Sequence, residues 1–154
     1  MSIQKDLETK LLAALKQAPR LAAIKTWEAD IRDCLFTESK LTQGFNAEEL
    51  PALNLSASID PTKRTPFTYT EAQHDIPVSI VVITKAVKRK EAFDGAKDLQ
   101  EAVECVLELF RRSGNSLGQN TFLFGEISSS AITIQQDPYS FAVGTTGCTI
   151  TKIT

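Results

Sequence analysis

A chain of 154 residues, 42% hydrophobic and 23% charged, has the size of a single domain spanning 1–154. It can bury about two-thirds of its unfolded surface, so it needs neither disulfides nor a metal to fold. Seventeen Lys and Arg against nineteen Asp and Glu leave a net charge of −2, which excludes the broad basic footprint of a general nucleic-acid or acidic-membrane binder. No apolar run approaches the ~18 residues of a spanning helix. The opening MSIQKDLETKLLAALKQ is too polar for a signal peptide, so a cytoplasmic origin is the expectation.

The first predicted element is an amphipathic helix over 3–18. Ile3, Leu7, Leu11, Ala14, Leu15 and Ala18 recur at three- and four-residue steps and share one face. Ser2 is its expected N-cap and Pro19 its stop. Residues 21–35 read two ways. Leu21 to Ile24 suit the start of a strand, whereas Trp27, Ile31, Cys34 and Leu35 are spaced for a helix. The polar stretch 37–49, punctuated by Gly44 and Asn46, reads as a loop.

Residues 51–57 (PALNLSA) alternate Leu53, Leu55 and Ala57 with polar residues, the period of a strand. A long loop over 59–73 is expected next. It holds Pro61 and Pro66, mixed charges and two aromatics, Phe67 and Tyr69. Spaced by two, these aromatics would share a side of an extended chain, either a docking edge for another protein or, with the loop folded back on its own domain, a satellite core around Phe67.

Residues 74–87 (HDIPVSIVVITKAV) give the strongest strand signal. Val78, Ile80 and Val82 point one way, Val81 and Ile83 the other. Such a strand is central: covered on both faces, or covered by helices on one and another subunit on the other. Pro77 is expected at its start or at a bulge. Lys88, Arg89 and Lys90 then form a basic turn, either a solvated face or a partner surface.

A long helix is predicted over 91–112, packing on the sheet through Leu99, Val103, Val106 and Phe110. Gly114 ends it. Three short strands close the chain at 121–127, 131–135 and 140–153. The last is expected to break at Gly144-Thr145-Thr146-Gly147, with Ser128-Ser129-Ser130 and Asp137-Pro138 as punctuation. The order predicts an α+β fold: an antiparallel or mixed sheet with two main helices packed on one face, plus the long loop.

The chemistry-bearing residues are sparse. Cys34, Cys105 and Cys148 are dispersed and never in a CxxC pair, and His74 is the single histidine. This excludes a disulfide framework and a multi-histidine metal site within one chain, and makes Cys105 and Cys148 expected buried free thiols. A Cys–His dyad stays open geometrically, although no cysteine sits in a nucleophile's turn. No phosphate-binding loop, HExxH or GxSxG motif occurs. Gly114 to Gly118 ends a helix, where the dipole opposes an anion. The row Asp94, Asp98, Glu101, Glu104 and Glu108 has the spacing of a solvated helix face. No catalytic residue, metal ligand or cofactor is therefore predicted.

In this order, an amphipathic helix (SIQKDLETKLLAALKQ), a PALNLSA strand, a long loop and an HDIPVSIVVITKAV strand come first. A helix rich in alanine and leucine and a strand meander follow. The layout, from about residue 3 to 153, resembles the small tail-terminator or tail-completion proteins of tailed bacteriophages and prophages. The resemblance is one of layout, with no signature motif. It implies a structural virion protein of the tail or neck, assembled in the host cytoplasm as a ring of identical subunits, typically a hexamer. Such a ring stops the tail tube protein from polymerising and offers a surface to the head connector. Neither a membrane nor a specific nucleic-acid sequence is an implied partner. Phe67, Tyr69, Lys88, Arg89 and Lys90 become the candidate interface residues. Two alternatives fit the same residues. One is another neck or tail adaptor, such as a stopper or tube component. The other is a cytoplasmic α+β ligand-binding or enzymatic domain with a scattered site.

Overall fold

A computed structural model describes residues 3–28, 50–57, 63–66, 68–113, 120–123, 125–136 and 139–154. Helix α1 (Ile3–Lys16) buries Leu7, Leu11 and Leu15 on its apolar face. Pro19 opens a short 3-10 turn, Pro19–Leu21, that buries Leu21. Strands β1 (Thr26–Glu28), β2 (Ala52–Ser56), β3 (Lys63–Pro66) and β4 (Ala72–Ala86) follow. After helix α2 (Arg89–Ser113) come β5 (Thr121–Leu123), β6 (Ser128–Gln136) and β7 (Tyr139–Ile153).

The seven strands among the described residues form one sheet in the order β1-β2-β4-β7-β5, with β3 also paired to β4 and β6 to β7. The β1–β2 pair is parallel and the other pairs are antiparallel, so the fold is α+β with a mixed sheet. Its spine is the β4–β7 ladder, in register from Gln73↔Ile153 to Ala86↔Ser140.

Because side chains alternate across a strand, this one register sorts both long strands into two faces. Ile76, Val78, Ile80 and Val82 of β4 join Cys148 and Ile150 of β7 under both helices, against Leu7, Leu11, Leu15, Leu99, Val103 and Leu107. The opposite face carries a smaller apolar cluster of Leu50, Ala52, Ile83, Phe141 and Val143, with Val81, Ile134 and Tyr139 half-buried against it. The two-faced strand of the sequence is thus central, with both described helices on one side.

The sheet corrects several expectations. The stretch 59–73 is not a free loop: β3 lies within it and pairs with the start of β4, from Lys63↔Asp75 to Pro66↔Ala72. Between them, the Thr68 N–H donates to Glu71 O and the Glu71 N–H to Thr68 Oγ1, which closes a tight hairpin. Pro77 lies inside β4, opposite Thr149. It is tolerated there because the other edge of β4 pairs with β3 only up to Asp75 and with β2 only from Ser79, leaving a gap for its missing N–H.

The β7 strand is not interrupted at Gly144–Gly147, and Ser128 to Ser130 are strand rather than punctuation. Arg89 and Lys90 form the first turn of α2 instead of a loop. Cys105 is exposed, not buried, and receives a long contact from Arg20 Nη1 at 3.8 Å. Phe110 is only half-buried, and Leu107 takes the fully buried place beneath α2. Ser2, the stretch 29–49 with Cys34, Phe67, the turn 114–118 and Asp137-Pro138 lie outside the described residues.

This packing separates two neighbouring leucines of α2. Leu107 is 0% exposed and Leu109 65% exposed. Leu107→Ala is expected to cost about 2–5 kcal/mol, as large-to-small core changes do. Leu109→Ala should stay within about 0.5 kcal/mol. Urea denaturation of the two variants checks the face assignment.

Candidate functional site

The candidate interface residues fall at opposite ends of β4. Tyr69 is at the tip of the β3–β4 hairpin, with its side chain fully exposed. Lys88, Arg89 and Lys90 follow the other end of the strand and are all exposed. A 15-residue strand spans about 46 Å at roughly 3.3 Å per step, so the hairpin tip and the basic end cannot form one site. Phe67, the proposed companion of Tyr69, lies outside the described residues.

The basic end is more than a charged turn. Arg89 Nε donates to Thr133 Oγ1 at 2.6 Å, tying the first turn of α2 to β6. Beside this bond a groove of about 780 Å³ is lined by Arg89, Lys90, Phe93, Ala131, Ile132 and Thr133. Ile132 is 60% exposed, and alternation along β6 turns its side chain to the sheet face opposite α2, beside Ile134 and Val143. Two further cations lie over rings at this end: Lys85 5.3 Å from the Tyr139 ring centre and Lys97 5.5 Å from that of Phe93. Sequence reading missed Phe93 and Ile132. The Ala131-Ile132-Thr133 alternation could have signalled a half-exposed strand, but not which helix end it would meet.

Beneath the sheet, Gln100 is 2% exposed, and its Nε2 donates to Ser130 O at 2.8 Å and Thr145 O at 3.3 Å. Its Oε1 is buried without a hydrogen-bond partner among the described residues. The side chain fits because residue 144 is glycine: a Cβ there would sit 2.6 Å from Gln100 Cδ. Next to it, Ser129 Oγ donates to Glu104 and meets Thr146 Oγ1 at 3.0 Å. These polar contacts fasten α2 across β6 and β7. Gly144→Ala is therefore expected to cost about 1–3 kcal/mol by overpacking. Adding Gln100→Ala should return much of that loss, and a double-mutant cycle measured by denaturation checks the coupling.

The titratable groups do not converge. His74 Nε2 lies 2.8 Å from Thr154 Oγ1. Cys148 faces Val78, four residues along β4 from His74 and hence about 13 Å away, too far for a dyad. Burial pushes the Cys148 thiol up to about 12, so it is no thiolate at neutral pH. No cluster of three or more metal-ligating side chains occurs among the described residues, and no described helix is long and apolar enough to cross a membrane.

Asp75 is held below its ordinary 3.8 by hydrogen bonds from Gln73 Nε2 and Thr151 Oγ1, at 3.1 and 2.8 Å. A carboxyl depressed on folding stabilises the fold above its unfolded value, and that contribution is lost as pH falls through the folded value. The urea midpoint should consequently fall more between pH 6 and pH 3 in the wild type than in Asp75→Asn. Equal falls would show that Asp75 is uncoupled from folding.

No protein-family model and no curated protein matches the sequence. Among solved structures, the fold is similar to a chain in the virion of a native gene transfer agent particle. Identity is 16% and the TM-score 0.54, over 94% of this chain and 93% of that one.

Proposed function

We propose that this chain is a structural virion protein of a phage-like particle, acting as a tail terminator. Copies form a ring, typically of six, on the last ring of a tail tube. The ring stops the tube protein from polymerising and gives the head connector its attachment surface. The observation that carries this reading is the near end-to-end fold likeness to a virion chain, which leaves no large domain of either chain unmatched.

The shape of the subunit supports it. A terminator needs two outward faces, one for the tube and one for the head, and lateral contacts between them. Tyr69 on its hairpin and the Lys88–Lys90 end lie about 46 Å apart along β4, far enough to serve opposite faces. The work is geometric, with no bond made or broken, and it calls on no Cys148–His74 dyad. The thiol of Cys148 is protonated and His74 is distant from it.

The test is to add the purified protein to tail tube protein encoded in the same genome while the tube is growing. Tubes are expected to stop lengthening and to carry a ring at one end in electron micrographs. Unchanged growth would overturn the terminator role, and incorporation along the tube length would favour the tube-component alternative.

A further inference from the structure

The two outer strands β1 and β6 close opposite ends of the same cross-strand rows. One row runs Thr26, Ala52, Ile83, Val143, Ile132, and the next Trp27, Leu53, Val82, Gly144, Ala131. Among the described residues each outer strand has one strand neighbour, β2 for β1 and β7 for β6.

The hydrogen bonds fix which backbone groups point outward. Gln100 Nε2 reaches the carbonyls of both Ser130 and Thr145, which are directly opposed, so those carbonyls lie between β6 and β7. Alternation along the ladder then turns the N–H and C=O of Ala131 and Thr133 to the open edge. At the far side, the Lys25 N–H donates to Pro51 O, so residues 25 and 27 face β2 while the backbone groups of Thr26 and Glu28 face away. Among the described residues no second strand pairs with either edge, and an unpaired edge is a template for another strand.

We propose that the β6 edge of one copy pairs with the β1 edge of a second copy, so that the sheet continues from subunit to subunit. This rests on the ring reading above and names its lateral contact. Directions agree: β4 and β6 run one way and β1, β2 and β7 the other, so β6 and the incoming β1 meet antiparallel in subunits of equal orientation. A contact that uses different surfaces on the two partners repeats from copy to copy and closes into a ring when its rotation divides a full turn.

Charge opposes the alternative in which two β6 edges meet, because Arg89 and Lys90 flank β6. Pairing two β6 edges about Ile132 would bring two copies of the basic cluster together. The incoming strand also covers Ile132 and the groove beside Phe93.

Proline blocks an edge without disturbing the inner ladder, because its missing N–H points outward. The test therefore uses Ala131→Pro/Thr133→Pro to block β6 and Thr26→Pro to block β1, with mass read by sedimentation. The wild type is expected as a closed ring, each blocked chain as a monomer of 16.9 kDa, and their 1:1 mixture as a species of twice that mass. Rings from the blocked chains would overturn this contact while leaving the ring reading intact. A wild type that stays monomeric would overturn both, and a wild-type dimer would overturn the head-to-tail pairing. Should a blocked chain fail to fold by circular dichroism, amide exchange in the wild type decides. Residues 26, 28, 131 and 133 should exchange fast in dilute monomer and slowly in the ring; fast exchange in both would overturn the pairing.

Discussion

The antiparallel ladder between β4 and β7 is the constraint from which the other parts take their places. Its fourteen residue pairs fix one register across two strands of 15 residues each. A slip of one residue would carry Ile76, Val78, Ile80 and Val82 out of the helix-covered core and put polar residues beneath α1 and α2. The same register decides the shorter strands. β2 and β3 divide one edge of the pair, β5 and β6 the other, so the sheet is wide at both ends around a common spine.

Helix α2 is held to that spine by fit rather than by area alone. Gln100 enters the space that a side chain at 144 would fill and bonds to carbonyls of β6 and β7. Thr84 Oγ1 donates to Ala92 O at 2.6 Å, and Arg89 reaches Thr133, so the helix start is fixed to both β4 and β6. Fixing the helix start also fixes the groove by Phe93 and the basic end of the subunit. The groove and the basic end thus descend from strand register through Thr84 and Arg89, while Gln100 anchors the helix further along.

Much of this was legible in the residues. The 3.6-residue period of Leu7, Leu11 and Leu15, the two-faced run Val78 to Ile83 and the long apolar row of α2 each named an element and its buried side. What misled were residues whose usual local meaning was overridden by tertiary context. Gly144 reads as a turn, yet it serves a close approach by Gln100. Pro77 reads as a strand boundary, yet the gap between β2 and β3 accommodates it. Lys63 to Pro66 is too polar and proline-flanked to announce a strand, and only its pairing with β4 makes it one. Of the candidate interface, Lys88, Arg89, Lys90 and Tyr69 were visible as exposed types. Phe93 and Ile132 were not, because neither periodicity nor composition shows which helix end meets which strand.

The central claim is that this sheet is a ring subunit presenting its two strand ends to different neighbours. An electron-microscopic reconstruction of the assembled protein on its tail tube tests it most directly. The account predicts a closed ring in which the Tyr69 hairpin and the Lys88–Lys90 end emerge on opposite faces, with helix α2 fixed on the sheet as in the subunit. A ring with both ends on one face, or a single copy bound to the tube end, would contradict it.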